Sequence, residues 1–204
     1  MAVRVAIMVL LGLAAGCQQP LTVCPVSGWT PEAEALAGAR AASSLEVRYG
    51  GVQDCPQTEE RLLRIGRRLA AATPGLSGEY RYAVLDSPEL NAFSLPVGRI
   101  YVTRGLHDLL TTDATVAAVL AHEMAHLAAR DSFKPRCRDA REALERELSA
   151  DWQGQRYLQA AGFSAEAMKD VIELTREVQP TGWSEIRLHA LASVANAGDR
   201  RESR

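Results

Sequence analysis

The stretch from Thr112 to Arg130 contains neither glycine nor proline, and within it runs His122-Glu123-Met124-Ala125-His126. Thr112 or Asp113 can cap its first turn, and Val116, Val119, Leu120 and Leu127 give it apolar anchorage, so a helix is predicted over Asp113 to Arg130. Residues four apart face the same way on successive turns, so both imidazoles project from one face. That spacing lets two ring nitrogens reach a single zinc ion. Glu123 lies about 100° further round, next to such an ion but outside its ligand set. A carboxylate there can take a proton from a water held by the metal and return it to a leaving amine. In a chain with four histidines a chance match to this pattern is rare, well under about one per cent. The bland alternative is a surface helix carrying two unrelated histidines.

The rest of the chain reads as mostly helical. Thr30 and Pro31 open a helix over Pro31 to Ser44, with the proline at the first helical position. Thr58 to Ala72 is amphipathic, with Leu62, Leu63, Ile65 and Leu69 on one side and arginines elsewhere. Tyr80 to Leu85, Asn91 to Pro96 and Arg99 to Thr103 read as strands, the last two joined as a hairpin around Pro96-Val97-Gly98. Pro96 cannot donate to a ladder and so marks a strand end or an edge. Asp139 to Ala161, Ser164 to Val178 and Ser184 to Ala195 complete the helices, with Gly162 and Pro180 between them as stops. The fold class expected is α+β, several helices with one small antiparallel sheet. Hydrophobic content of 47% suits a domain with a real core, and a net charge of −2 offers nucleic acid no general attraction.

Catalytic zinc takes three protein ligands and one open position. After His126 the chain runs Leu127-Ala128-Ala129-Arg130, with no His-x-x-Gly-x-x-His continuation to supply a third histidine. Glu147, on the following helix, is the candidate, since two antiparallel helices can bring it against His122 and His126. Asp151 is one turn further along the same face, placed to accept a hydrogen bond from the far nitrogen of a ligating histidine. Taken alone, Glu147 also fits a solvated charge run with Glu142, Glu145 and Arg146.

The N-terminus has a different character. Met1 to Arg4 is a short basic start, Val5 to Ala15 is apolar apart from Gly12, and Ala14-Ala15-Gly16 precedes Cys17. The apolar run is too short to span a bilayer but suits a secretory signal. Small residues before a cysteine resemble a bacterial lipobox, where the new N-terminal Cys17 receives lipid, although the usual leucine stands one place early as Leu13. Ordinary signal cleavage near Gly16, with Cys17 incidental, is the alternative. The expected organisation is a lipoprotein signal over 1–16, a tether over 17–30, a peptidase domain over 31–196 and a flexible tail over 197–204. The protein is expected to be exported and membrane-anchored, facing the bacterial periplasm. In such an oxidising compartment Cys24 and Cys55 are the favoured disulfide pair, leaving Cys137 over.

Asn91-Ala92-Phe93-Ser94-Leu95-Pro96-Val97-Gly98-Arg99-Ile100-Tyr101-Val102-Thr103-Arg104-Gly105-Leu106 before the helix and Glu147-Leu148-Ser149-Ala150-Asp151 after it together resemble family forty-eight of the metallopeptidases. That family includes CAAX prenyl endopeptidases, membrane heat-shock peptidases and periplasmic quality-control peptidases. The resemblance covers roughly Tyr80 to Leu191. It implies a zincin-like domain with an edge strand beside the His-Glu-x-x-His helix, and one zinc ion held by His122, His126 and Glu147. It further implies Glu123 as catalytic base, Asp151 behind the ligands, and Asn91, Ala92 and Phe93 as the edge against which unfolded or extended substrates lie. Two departures stand out. The connection from His126 to Glu147 is short, which reduces any lid, and the family's later His-Pro element appears as Gln179-Pro180. His189 is a candidate to replace that imidazole, and Arg187 a candidate for the arginine that contacts the ligand helix.

The function expected is a zinc metalloendopeptidase acting on exported or envelope proteins, in protein quality control. The missing His-Pro element keeps open a weakly active or inactive zinc-binding, chaperone-like adaptor that holds unfolded segments. A structural lipoprotein with an accidental motif is the third reading.

Overall fold

A computed structural model describes residues 30–73, 76 and 79–202, with side chains to residue 193. The expected leader, most of the tether, Cys17 and Cys24 lie outside the described residues. The chain begins with α1 (Pro31–Arg48), whose first turn is capped where the Ala33 N–H donates to Thr30 Oγ1 at 3.2 Å. Next comes α2 (Pro56–Ala72), which buries Leu62, Ile65, Gly66 and Leu69 along one stripe. Three strands follow, β1 (Arg81–Leu85), β2 (Ala92–Leu95) and β3 (Arg99–Thr103), leading directly into a short α3 (Arg104–Leu109) that the sequence did not announce. The remainder is helical, with α4 (Asp113–Ala128), α5 (Ala140–Ala160), α6 (Ala167–Leu174) and α7 (Trp183–Glu202).

The sheet has strand order β1-β3-β2, and it is mixed. β2 and β3 form the expected antiparallel hairpin, but β1 runs parallel to β3, which corrects the expectation of an all-antiparallel sheet. The hairpin turn is local information, and its left-handed residues Val97 (φ 61°) and Gly98 (φ 73°) set it. The partner of β1 is a tertiary choice, because no tight turn joins Leu85 to Ala92. Gly98 is needed in a second way, since a Cβ there would sit 2.6 Å from the Glu79 carbonyl oxygen.

Alternate residues of each strand serve two cores. Val84, Ala92, Ile100 and Val102 join the main core with α2, α4, α5 and α6. Leu85, Phe93, Leu95 and Tyr101 join Ala42, Leu45 and Tyr49 of α1 in a smaller one. The sheet is thus covered on both faces, with α1 on one side and α4 on the other. Every residue of α4 from Thr115 to His126 is buried. This is a central helix rather than an amphipathic surface one, so the motif residues lie inside the molecule.

The segment expected as one helix from Ser164 to Val178 breaks into α6 and a separate 3-10 turn at Arg176–Val178. The last helix runs to Glu202, past the expected end at Ala195 and into the stretch read as a tail. Among the described residues Cys55 and Cys137 carry free thiols, and Cys24, the expected partner of Cys55, lies outside them. Among the described residues no helix is long and apolar enough to cross a membrane.

Helix α5 packs most intimately against α4, and Gly154 permits the approach. A Cβ at Gly154 would lie 2.7 Å from Met168 Cε and 3.2 Å from the backbone nitrogen of His122. Gly154→Ala is therefore expected to cost about 1–3 kcal/mol through overpacking, lowering the metal-free Tm by roughly 2–10 °C. A melting curve that superimposes on wild type would show that the two helices have room to spare.

Candidate metal centre

Helix α4 starts firmly. The Thr115 N–H donates to Thr112 Oγ1 at 3.1 Å, and the two side chains form a reciprocal capping box. Three turns later it presents His122 and His126 toward α5, which is capped by Asp139 and brings Glu147, Asp151 and Gly154 to the same seam. The two histidine Nε2 atoms lie 3.1 Å apart. Glu147 Oε2 is 3.4 Å from His122 Nε2, and Glu147 Oε1 is 3.6 Å from His126 Nε2. One ligand atom from each of the three residues falls within 4.8 Å of the others, and all three residues are buried. This group could hold a metal ion.

Each histidine is braced from behind. His122 Nδ1 meets Asp151 Oδ1 at 3.0 Å, and His126 Nδ1 meets Asp131 Oδ2 at 2.7 Å. With Nδ1–H donating to a carboxylate, Nε2 is the nitrogen that each ring turns to the shared space, where metal ligation would require it unprotonated. Asp151 is in turn gripped by Arg187, whose Nε and Nη2 donate to its two oxygens at 2.6 Å each. Arg187 Nη1 also donates to Gln179 Oε1 at 3.0 Å and lies 3.6 Å from Glu147 Oε2. The Gln179 amide donates to Thr175 Oγ1 at 3.0 Å.

The electrostatics suit a cation. Burial opposes charge on His122, but Asp151 and Glu147 overcome this and raise its pKa to about 10. Burial likewise pushes Glu147 up, but His122, His126 and Arg187 outweigh it and hold the carboxyl down at about 2. Burial also raises Asp151, and the Arg187 guanidinium more than reverses it, leaving the pKa below the ordinary carboxylate range. Glu123, Glu147 and Asp151 are all buried carboxyl groups in this neighbourhood, with Arg187 the buried guanidinium among them. The surplus negative potential and the paired imidazole nitrogens would suit a divalent metal ion.

The structure brings His122, His126, Glu147, Asp151 and Arg187 together, with Glu123 buried on the same helix. It does not bring His189. That residue is exposed on α7 and, being two positions after Arg187, points roughly 200° away from it. The side chains of Asn91 and Phe93 are buried, the Phe93 ring lying tilted with its centroid 4.9 Å from that of Tyr49, and the Asn91 backbone is bonded to Thr103, so neither residue presents a free side chain to a peptide. Asp131 escaped the sequence reading. It reaches His126 because Arg130 adopts a left-handed conformation (φ 55°) just beyond α4 and turns the chain back in a 3-10 turn at Asp131–Phe133. Nothing in the local sequence signals that reversal.

Removing the guanidinium leaves two buried carboxylates without their counter-charge. Arg187→Met is expected to lose about 3–5 kcal/mol in urea unfolding of the metal-free protein, and a loss below roughly 1 kcal/mol would mean the pair is dispensable.

Residues 56–143 match the family model described as peptidase family M48. That span takes in His122, Glu123, His126 and Asp131 and stops short of Glu147. The chain is also similar to mitochondrial metalloendopeptidase OMA1 of Arabidopsis thaliana, at 44% identity over 61 residues, covering 29% of this chain and 13% of the relative. It is 36% identical over 69 residues to mitochondrial metalloendopeptidase OMA1 of Schizosaccharomyces pombe, covering 34% of this chain and 20% of that protein. A stretch of 43 residues is 46% identical to mitochondrial metalloendopeptidase OMA1 of Danio rerio, covering 21% of this chain and 9% of the relative. The matches thus span a fifth or less of the relatives' own lengths.

Proposed function

We propose that the protein is a zinc-dependent endopeptidase of the M48 kind, acting on extended or unfolded polypeptide, on the premise that residues 56–143 match the model of peptidase family M48. The observation that carries the reading is the convergence of His122 Nε2, His126 Nε2 and the Glu147 carboxylate within 4.8 Å, with Glu123 buried one residue along from His122. When bound, zinc supplies Lewis acidity, which polarises a scissile carbonyl and makes water a competent nucleophile near neutral pH. His122, His126 and Glu147 would hold it, in the ligand class of two histidines and one glutamate.

The chain's own groups divide the remaining work. Glu123 accepts a proton from the attacking water and delivers it to the leaving nitrogen. Asp151, fixed by Arg187, keeps the His122 ring in place. Strand β2 lies at the sheet edge. The Thr103 N–H donates to the Asn91 carbonyl at 2.9 Å, and antiparallel alternation then turns the backbone groups of Ala92 and Ser94 to the open side. The Ala92 N–H is taken by Asn91 Oδ1 at 2.9 Å, which leaves the Ala92 carbonyl and both Ser94 groups for an added peptide strand. Recognition through backbone groups favours breadth over sequence preference, in keeping with a role in quality control of exported proteins.

A second reading, a zinc-binding adaptor that holds unfolded segments and cleaves them rarely, draws on Gln179, whose amide is committed to Arg187 and Thr175. Glu123→Gln separates the two. Hydrolysis of an unfolded reporter protein is expected to fall at least about 100-fold while zinc content, measured by atomic emission, stays at wild-type level. Equal rates in wild type and variant, with metal retained in both, would leave the adaptor reading standing.

Export and anchoring through Cys17, facing a bacterial periplasm, complete the proposal and rest on the leader composition. Metabolic labelling with a fatty acid is expected in the full-length protein and lost in Cys17→Ser. Labelling that survives the substitution rules out this anchor.

A further inference from the structure

We propose that Asp131 is a positioning residue of the metal centre, holding the His126 ring so that its Nε2 faces the site, and that the turn after α4 exists in its observed form to place it. This rests on the metal-site reading above. Asp131 makes two contacts that use different oxygens. Its Oδ2 receives His126 Nδ1–H at 2.7 Å, and its Oδ1 lies 2.7 Å from Lys134 Nζ. The side chain is only 8% exposed, and the His126 ring 2%, so solvent does not compete for the interaction.

The backbone around Asp131 is arranged for this contact. Arg130 takes a left-handed φ of 55°, a conformation that is uncommon for a residue with a Cβ. Its guanidinium pairs with Glu34 of α1 and lies 4.6 Å over the Phe133 ring, which pins both ends of the reversal. The Phe133 and Lys134 N–H groups close the turn onto the Arg130 and Asp131 carbonyls at 3.0 and 3.1 Å. Asp131 is thereby returned beneath a histidine five residues earlier, a place that a continuing α-helix would not give it. The centre therefore has two braced imidazoles, one steadied from α5 through Asp151 and the other from its own helix end through Asp131.

A carboxylate behind a ligating histidine fixes tautomer and orientation and raises ligand basicity, with losses of about 10–100-fold in metal affinity when it is removed. The test uses the full chain with Zn2+ in competition against a chromophoric chelator, together with the visible absorption of the Co2+-substituted protein and the 15N shifts of the His126 ring in metal-free protein. Asp131→Ala is expected to weaken Zn2+ about 10–100-fold, to alter the Co2+ bands and to release the ring from its single Nδ1–H form. Asp131→Asn, which keeps an accepting oxygen and the same shape, is expected to recover part of the affinity and the Nδ1–H form. It also serves if the alanine variant does not fold.

Lys134→Met removes the other contact of Asp131 and should leave the His126 15N signature in place. Zn2+ affinity of Asp131→Ala within twofold of wild type, or an unchanged His126 signature in both Asp131 variants, overturns the proposal. If the wild type itself binds no Zn2+, the metal-site reading fails instead. The metal-free 15N result reports on the Asp131 contact in either case.

Discussion

The two-pronged contact between Arg187 and Asp151 is the constraint on which the interior depends. Burying a carboxylate is costly unless it is paired and hydrogen-bonded, and this seam buries Glu123, Glu147 and Asp151 together. Arg187 offers donors to both oxygens of Asp151, to Gln179 and toward Glu147. One guanidinium from the last helix thus ties α7 to α5, and through Asp151 to the first histidine on α4. The planar fork suits this task, whereas a lysine would reach a single oxygen at a time.

Packing and chemistry share the same surfaces. Helix α4 is buried over Thr115 to His126, with the sheet on one side and α5 on the other. The distance from Glu147 to the histidines is set where α5 comes against the backbone at His122, and Gly154 is the residue that makes the approach possible. On the far side of the sheet, α1 contributes Ala42, Leu45 and Tyr49 to a separate small core, and Glu34 at its start pairs with Arg130 just past the end of α4. The first helix therefore touches the chain reversal that presents Asp131.

What was legible in the sequence follows from how local each feature is. The His-Glu-x-x-His helix declares itself through spacing, caps and the absence of breakers, and the β2–β3 hairpin through Pro96-Val97-Gly98. Glu147 and Asp151 share a face by helical periodicity, so finding one placed the other. The parallel partnership of β1 with β3 was not legible, because nothing near Leu85 dictates which strand it joins. Asp131 was hidden for a similar reason, since its role hangs on one left-handed residue. Arg187 and His189 are two residues apart on one helix and cannot both point at the same site.

The open side of β2 has a consequence beyond catalysis. Unpaired edge groups that can receive one extended chain can also receive the edge of another copy of the protein, which is how sheets propagate between molecules. Here the edge strand is only Ala92–Leu95 long, and Pro96 with the positive-φ Val97 interrupts it at once. A visiting segment finds few ladder bonds before the track ends. On the proposed reading a passing peptide would dock and leave, while stacking of one molecule on the next would have too little rail to run on.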